Sequence, residues 1–485
     1  MNLRLSYLII IYALILWFKP FIAKAQAPST EVRAVWLTTI WNLDWPSPNL
    51  SADDQKKQLC KILDQLQESN FNTVLFQVRL RGNVFYYSSI EPLNPAAKKG
   101  FDPLAFAVSE CHKRGLECHA WFVTFPVGSK KYAALQGKNS VVKKHPSMCK
   151  MYNGEWYLDP GNPDARKYIL SLVDEIVRNY DIDGIHFDYI RYPEKAMKYP
   201  DKDTHQKYGK GTRLADWRRN NINQLVTSIY DRVKEIKPWV QVSSSPLGKY
   251  KDLNNGRDGW TAYESVFQDA GHWLKSGKHD AIYPMMYYQD RHFYPYLEEW
   301  VKYSNGRPVV PGLGAYRMLS NEADWSKKQI TDQIDVIRDK KMEGQAYFRA
   351  GNIVNNLKGL NSELKENYYK YPAKLPPMTW LNDSAPNSPV NMEVYRNNQG
   401  NLCIKWQPFS TNEEQLYTVY CSEEEEPDID NPENIVATGI RGNQIELNIT
   451  TGEYGLYYYV TASDRFHNES VPCFPAFFVH TDYEK

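Results

Sequence analysis

Short apolar runs rich in β-branched and aromatic residues alternate with longer amphipathic stretches through the first three-quarters of the chain. Runs of the first kind read as strands buried on both faces, and stretches with apolar residues three and four apart read as helices that cover them. The pattern predicts strands at 32–38, 73–79, 116–122, 184–189, 240–244, 281–287, 309–313 and 344–348. It predicts helices at 52–69, 102–114, 164–180, 214–236, 262–274, 296–303, 327–340 and 353–368. Local signals agree: Ser51 followed by Asp54 suits a helix N-cap, Asp102-Pro103 opens a helix, and Gly115 ends one. A long insertion follows the third strand and runs to Pro160. Eight strand–helix units in a row predict an α/β fold, a (β/α)8 TIM-type barrel over 26–371. A doubly wound open sheet is the alternative, and no glycine-rich nucleotide loop supports it.

The pattern changes past Tyr371. Residues 372–389 are rich in proline and asparagine and read as a linker. Short alternating strands follow at 390–395, 402–406, 417–421, 444–449 and 457–462, separated by acidic turns such as 423–426. They predict a small all-β sandwich over 390–485. Trp406 and the run Tyr457-Tyr-Tyr-Val-Thr-Ala-Ser-Asp-Arg465 resemble a fibronectin type III module, which implies a spacer or binding support and no catalytic set.

At the other end, Arg4 precedes an apolar run at 5–18, and Ala23-Lys24-Ala25 follows. Residues 1–25 therefore read as a signal peptide cleaved before Gln26. The run is short for a membrane span, which takes about 20 apolar residues. No cysteine stands at the cleavage point to take a lipid; an uncleaved anchor is the alternative. The mature chain is expected to be secreted across the inner membrane, periplasmic or extracellular, with no membrane insertion after cleavage.

Charge serves mainly to exclude. The formal net charge of +1 comes from 58 basic and 57 acidic residues. Taking Arg4, Lys19 and Lys24 of the leader from the 58 leaves 55 bases against 57 acids. Neither nucleic acid nor an anionic membrane is indicated as a partner, and the oligomeric state stays open. The seven cysteines include no Cys-x-x-Cys pair, and an odd number leaves one outside any intrachain disulfide. Cys111-His112 and Cys118-His119 resemble metal ligands, but buried small residues and a helix-to-strand turn explain them better, so no metal and no cofactor is expected. The 35 Tyr and 14 Trp serve packing and also supply platforms for sugar rings.

The most informative stretch is Asp183-Gly-Ile-His-Phe-Asp-Tyr-Ile-Arg-Tyr-Pro193. Alternation along a strand puts Ile185 and Phe187 on one face and His186 and Asp188 on the other. In a barrel the Ile185 face packs on helices and the Asp188 face points inward. Asp188 then stands at the strand's C-terminal end, where barrel enzymes keep their chemistry.

This stretch, with Val32-Arg-Ala-Val-Trp-Leu-Thr-Thr39, Asn42-Leu-Asp-Trp-Pro-Ser47 and Leu158-Asp-Pro-Gly-Asn-Pro163, resembles the bacterial glycosyl-hydrolase-like family 10, also known as domain of unknown function 187. The resemblance covers about 31–368. It implies a β/α barrel of the cell envelope acting on a polysaccharide, with cell-wall glycan strands as one candidate. Relatives carry a second aspartate where Tyr189 stands, which leaves Asp188 alone at this strand end. The strand also resembles the Asp-Gly-x-Arg-x-Asp frame of α-amylase-class barrels, with Asp188 at the nucleophile and His186 at the arginine. The chitinase class has its acid where Ile190 stands, and the seventh strand at 308–314 holds no glutamate, so neither arrangement is expected.

Glycoside hydrolysis takes two carboxyl groups, one protonated and one ionised. Asp188 is the first catalytic candidate and Asp290, just past the sixth strand, the second. Asp44 and Asp159 are rivals that also suit turns before Trp-Pro and Pro. Arg79 shares a strand face with Gln77, Trp121 with His119, Tyr287 with Gln289, and Arg349 with Tyr347. With His186, Arg191, Trp41 and Asp44, the residues Arg79, Trp121, Tyr287, Gln289 and Arg349 are expected to line a sugar cleft. A polar network that merely fixes the barrel top is the alternative. The expected function is an exported glycoside hydrolase using carboxylate acid/base chemistry; the alternative is a non-catalytic glycan-binding or scaffolding protein of the cell envelope.

Overall fold

The computed structural model describes residues 27–254, 256, 259–410, 414–447 and 454–480, so the expected signal peptide lies outside the described residues. The central sheet has eight parallel strands. The first three are β1 Val32–Leu37, β2 Thr73–Arg79 and β3 Glu117–Val123. An insertion carries a separate antiparallel sheet of β4 Pro126–Ser129, β5 Cys149–Tyr152 and β6 Glu155–Leu158. The barrel resumes with β7 Gly184–Asp188, β8 Gln241–Ser244, β9 Ala281–Ile282, β10 Gly312–Leu313 and β11 Gly344–Phe348. The order is β10-β11-β1-β2-β3-β7-β8-β9, and the bridges Ile282 to Val309 and Met285 to Gly312 join its two ends. The alternating pattern thus yields the barrel it predicts. Strands β9 and β10 are shorter than expected because Pro284, Pro308 and Pro311 have no amide to give the ladder.

Amphipathic helices Ala52–Glu68, Pro103–His112, Pro163–Asn179, Leu214–Ile236 and Lys327–Asp339 pack outside. Ser51 caps the first through the Asp54 amide at 3.2 Å, and Asp102 caps the second. The helix expected at 262–274 is two pieces, Ala262–Ser265 and Ala270–Lys275, with Phe267 at positive φ between them. The one expected at 353–368 is interrupted by Asn356, Lys358 and Gly359 in left-handed conformations. Val35, Phe76, Phe122 and Phe187 face this helical layer, while Ala34, Trp36, Leu75, Trp121 and Tyr283 fill the barrel interior.

Seven antiparallel strands follow: β12 Val390–Arg396, β13 Leu402–Gln407, β14 Leu416–Ser422, β15 Ile435–Ile440, β16 Gln444–Leu447, β17 Tyr454–Ser463 and β18 Ala476–His480. They form sheets β12-β13-β16 and β15-β14-β17-β18 around Trp406, Val419, Tyr458 and Val460. Strands β15 and β18 lack the clean alternation that marks the others in sequence. This β unit docks on the N-terminal ends of the barrel strands, the floor. Asp183 accepts from the Cys118 amide, His112 Nε2, Arg441 Nη2 and Arg465 Nη2 at 2.9, 2.8, 2.7 and 3.2 Å. Glu117 lies between His119 at 2.8 Å and His467 at 2.6 Å. Burial alone would raise the Glu117 pKa, but His467 and His119 hold it well below the ordinary value; burial would lower that of His467, and Glu117 raises it instead.

Candidate active site

Strand β7 runs from floor to mouth, and its inward residues are three different things. Gly184 is there for contact: a Cβ would sit 2.5 Å from the His119 ring. His186, one layer up, is fully buried. Trp36 Nε1 donates to His186 Nε2 at 3.2 Å, and an indole only donates, so Nδ1 carries the proton that meets Ser243 Oγ at 2.9 Å. Burial, with His119 and His279 nearby, holds its pKa well below the usual histidine range. His186 is therefore a neutral core residue; it does not reach a sugar cleft.

Asp188 ends the strand at the mouth. Its main-chain oxygen takes the Thr124 amide and hydroxyl at 2.9 Å each, and the Tyr189 amide donates to Oδ1 at 2.7 Å. The carboxyl is buried, and burial raises its pKa above the ordinary aspartate value, opposed in part by Arg191, the Tyr189 amide, Trp121 and Ser245. Trp121 and Ser245 act on this carboxyl as hydrogen-bond donors, whereas Arg191 Nη1, also buried, completes no hydrogen bond with the described residues. A buried guanidinium nitrogen left without an acceptor costs about 1–3 kcal/mol in the free protein. Such an arrangement suits a site whose ligand brings acceptors.

Aromatic rings wall the mouth. Tyr287 lies 5.5 Å from Tyr316 and 5.7 Å from Phe348 between ring centroids, and Trp121 lies 6.4 Å from Phe348. Burial, and then the Asp188 charge, pushes the Tyr287 phenol well above its ordinary pKa. The Arg191 guanidinium lies 4.5 Å from the Tyr189 ring and 5.4 Å from that of Trp260. Tyr189 takes φ +49°, a turn a bulky side chain rarely adopts, and keeps its ring partly exposed. Trp41 is 73 % exposed over the first loop.

Of the residues expected in the cleft, Asp188, Trp121, Arg191 and Tyr287 come together, with Trp41 exposed on the first loop. Others do not. The ladder slips between Gln77 and Arg79, so Arg79 pairs beside Phe122 on the outer face. There it is fully buried, gripping Glu91 through Nε at 2.9 Å and Nη2 at 2.7 Å. Arg349 and Asp44 form an ion pair, and Asp44 also takes the Thr38 amide and hydroxyl and the Gly351 amide. They tie the first loop to the end of β11. Asp159 is buried on Thr204 Oγ1 and the Gly161 amide. Gln289 turns away to Gln329 at 2.9 Å. Asp290 is exposed in a 3-10 turn, where its charge acts on Tyr294. Sequence reading missed Ser245, Tyr189, Trp260, Tyr316 and Phe348. Strand parity from Ser243 could have placed Ser245, and parity from Ala346 could have placed Phe348, which pairs with Trp36 in the ladder; the rest sit in loops or past a ladder's end.

The model of the family described as Glycosyl hydrolase-like 10 matches residues 31–303, more than half of the chain. The chain belongs to this family. Two relatives carry the same family resemblance in their names. Glycosyl hydrolase YngK of Bacillus subtilis (strain 168) is 33% identical over 93% of this chain and 94% of its own length. Glycosyl hydrolase DigH of Escherichia coli (strain K12) is 32% identical over 62% of this chain and 78% of its own length. In fold, the glycosyl hydrolase-like 10 chain superposes on the glycoside hydrolase domain of PgaB (BpsB) from Bordetella bronchiseptica with a TM-score of 0.51, at 12% identity, covering 70% of this chain and 98% of that one. The enzymatic class is accordingly glycoside hydrolase.

Proposed function

We propose that this protein is an exported glycoside hydrolase that cleaves a bacterial glycan across the barrel mouth, with Asp188 as proton donor. The observation that carries the reading is the Asp188 carboxyl at the strand end, its pKa raised by burial and faced by the buried donors Trp121 Nε1, Ser245 Oγ and Arg191 Nη1. A general acid needs a pKa lifted toward working pH, and burial is the usual means. Tyr287, Tyr316, Tyr189, Trp260 and Trp41 provide ring faces for sugars. Cell-wall glycan strands are the favoured substrate, and the leader at 1–25 supports a periplasmic or extracellular location. Residues 390–485, with three strands facing four, serve as a fibronectin type III-like support joined to the barrel through 372–389.

The test is glycan release by the mature protein beside Asp188→Asn, on peptide-stripped cell-wall glycan and a panel of other polysaccharides, with products read by mass spectrometry. Product from the wild type that disappears in a folded Asp188→Asn supports the reading. If both proteins bind a glycan and neither cleaves one, the non-catalytic glycan-binding alternative replaces it.

A further inference from the structure

We infer that Arg191 sets substrate specificity: its guanidinium receives a carboxylate carried by the sugar next to the scissile bond, so the substrate is an acidic glycan. The inference rests on the barrel mouth being the glycan site. Other arginines on the loops that follow the barrel strands hold carboxylates of the protein itself. Arg349 holds Asp44, Arg81 holds Glu155 at 2.6 Å, and Arg317 stands 3.6 Å from Glu322. Arg191 is buried and has no such partner. Its Nη1 completes no hydrogen bond, and no carboxylate among the described residues forms an ion pair with it.

Its position is fixed before any ligand arrives. On either side of it the backbone is tied to the segment after β8: the Tyr192 amide donates to the Val266 carbonyl at 3.1 Å, and Gln268 Nε2 donates to the Ile190 carbonyl at 3.5 Å. The guanidinium carbon lies 4.5 Å from the Tyr189 ring centre and 5.4 Å from that of Trp260. Ring faces attract a cation, but they offer Nη1 no lone pair. Both rings are partly exposed, so the guanidinium sits beneath the rim of the mouth and not in the core. Tyr189 also ties Arg191 to the reacting end of the strand, because its amide donates to Asp188 Oδ1 at 2.7 Å while its ring covers the guanidinium.

The chemistry of the missing partner follows from what is left unmet. A buried cation is costly unless it is paired and hydrogen-bonded. Asp188 does not supply the countercharge, since as proton donor it enters the reaction neutral. A sugar hydroxyl would give Nη1 an acceptor but leave the charge unmatched once the glycan has displaced water from the mouth. A carboxylate on the sugar meets both needs, and the planar guanidinium fork matches its two oxygens. The partly exposed rings of Tyr189 and Trp260 flank the same spot and can hold the body of that sugar.

The experiment uses full-length mature protein with peptide-stripped cell-wall glycan and a polyuronate, each with its carboxylates free and with them reduced to alcohols. On a glycan that is cleaved, kcat/KM is expected to be about 100-fold higher for the free form than for the reduced one. Arg191→Gln should bring that ratio down to roughly 1–3, and Arg191→Lys, which keeps the charge and loses the fork, should fall between the two. Calorimetry on Asp188→Asn gives the same ratio as affinities, without turnover, and adding Arg191→Gln to it should remove the difference. Equal use of the free and reduced forms by the wild type overturns the assignment. So does a wild-type ratio in both Arg191 variants, or a preference for a sulfated form of the reduced glycan over the carboxylate. If nothing is cleaved while Asp188→Asn still binds the free form more tightly, the hydrolase reading falls and the Arg191 assignment stands. No affinity for either form sinks the Arg191 assignment too.

Discussion

At the barrel floor, Asp183 accepts four hydrogen bonds, two of them from arginines of the β unit, and Glu117 is held between two histidines. At the mouth, one strand's length away, Asp188 has one amide on its carboxyl and the donors Trp121, Ser245 and Arg191 around it, of which Arg191 Nη1 completes no bond among the described residues. Both ends bury carboxylates, and they resolve the cost in opposite ways. The floor supplies countercharges, so Glu117 and Asp183 ionise more readily than in water. The mouth leaves desolvation uppermost, so Asp188 holds its proton more tightly. Countercharge around the carboxylates marks the end that stabilises the fold, and desolvation without it marks the end that suits a ligand.

The strongest test of this contrast is to remove one carboxylate from the mouth. Asp188→Asn should cost about 10²–10⁴ in kcat and leave the thermal midpoint unchanged or higher, because a desolvated carboxyl goes with it. A parallel drop in stability would show that Asp188 belongs with the floor. The mirror change, His467→Ala, should destabilise by about 3 kcal/mol in a denaturant titration with kcat intact, since it strips a partner from a buried charge. Loss of activity without loss of stability there would erase the distinction.

Smaller effects refine it. Ser245→Ala removes a donor that acts on the Asp188 carboxyl, so kcat should fall about tenfold while stability changes little. Rates and melting curves on the same sample decide this. The pH dependence of the two ends also differs. The folded pKa of His467 lies above 6.5, so its contribution is complete below that value and is lost as pH rises through the raised one. The folded pKa of Glu117 lies below 4.5, so its contribution is complete above that value and is lost as pH falls through the lowered one. Stability from the floor is thus greatest between the two, and urea midpoints across pH test it. Catalysis should instead decline as pH rises through the raised pKa of Asp188. Arg191→Gln removes the charge that opposes that rise, so it should move the alkaline limb of the rate profile to higher pH.

The barrel and the inward face of β7 were legible in the amino-acid sequence alone. Those are properties of neighbouring residues: a period of two in Ile185, His186, Phe187 and Asp188, and periods near 3.6 in the covering helices, report burial directly. Which inward residues reach the mouth was not legible. One extra residue near Val78 reversed the parity of Arg79 and sent it outward to Glu91, and no alternation rule sees a bulge coming. Depth was hidden as well: His186 and Asp188 share a face, but only the closed barrel puts the first among Trp36, Ser243 and Tyr283 and the second among Trp121, Ser245 and Arg191. The Asp44–Arg349 and Asp183–Arg441 pairs join residues far apart in the chain, and the Glu155–Arg81 pair joins two different loops. Strand closure and loop docking bring them together, so it is the folded chain that selects which charges are neutralised and which are left for a substrate.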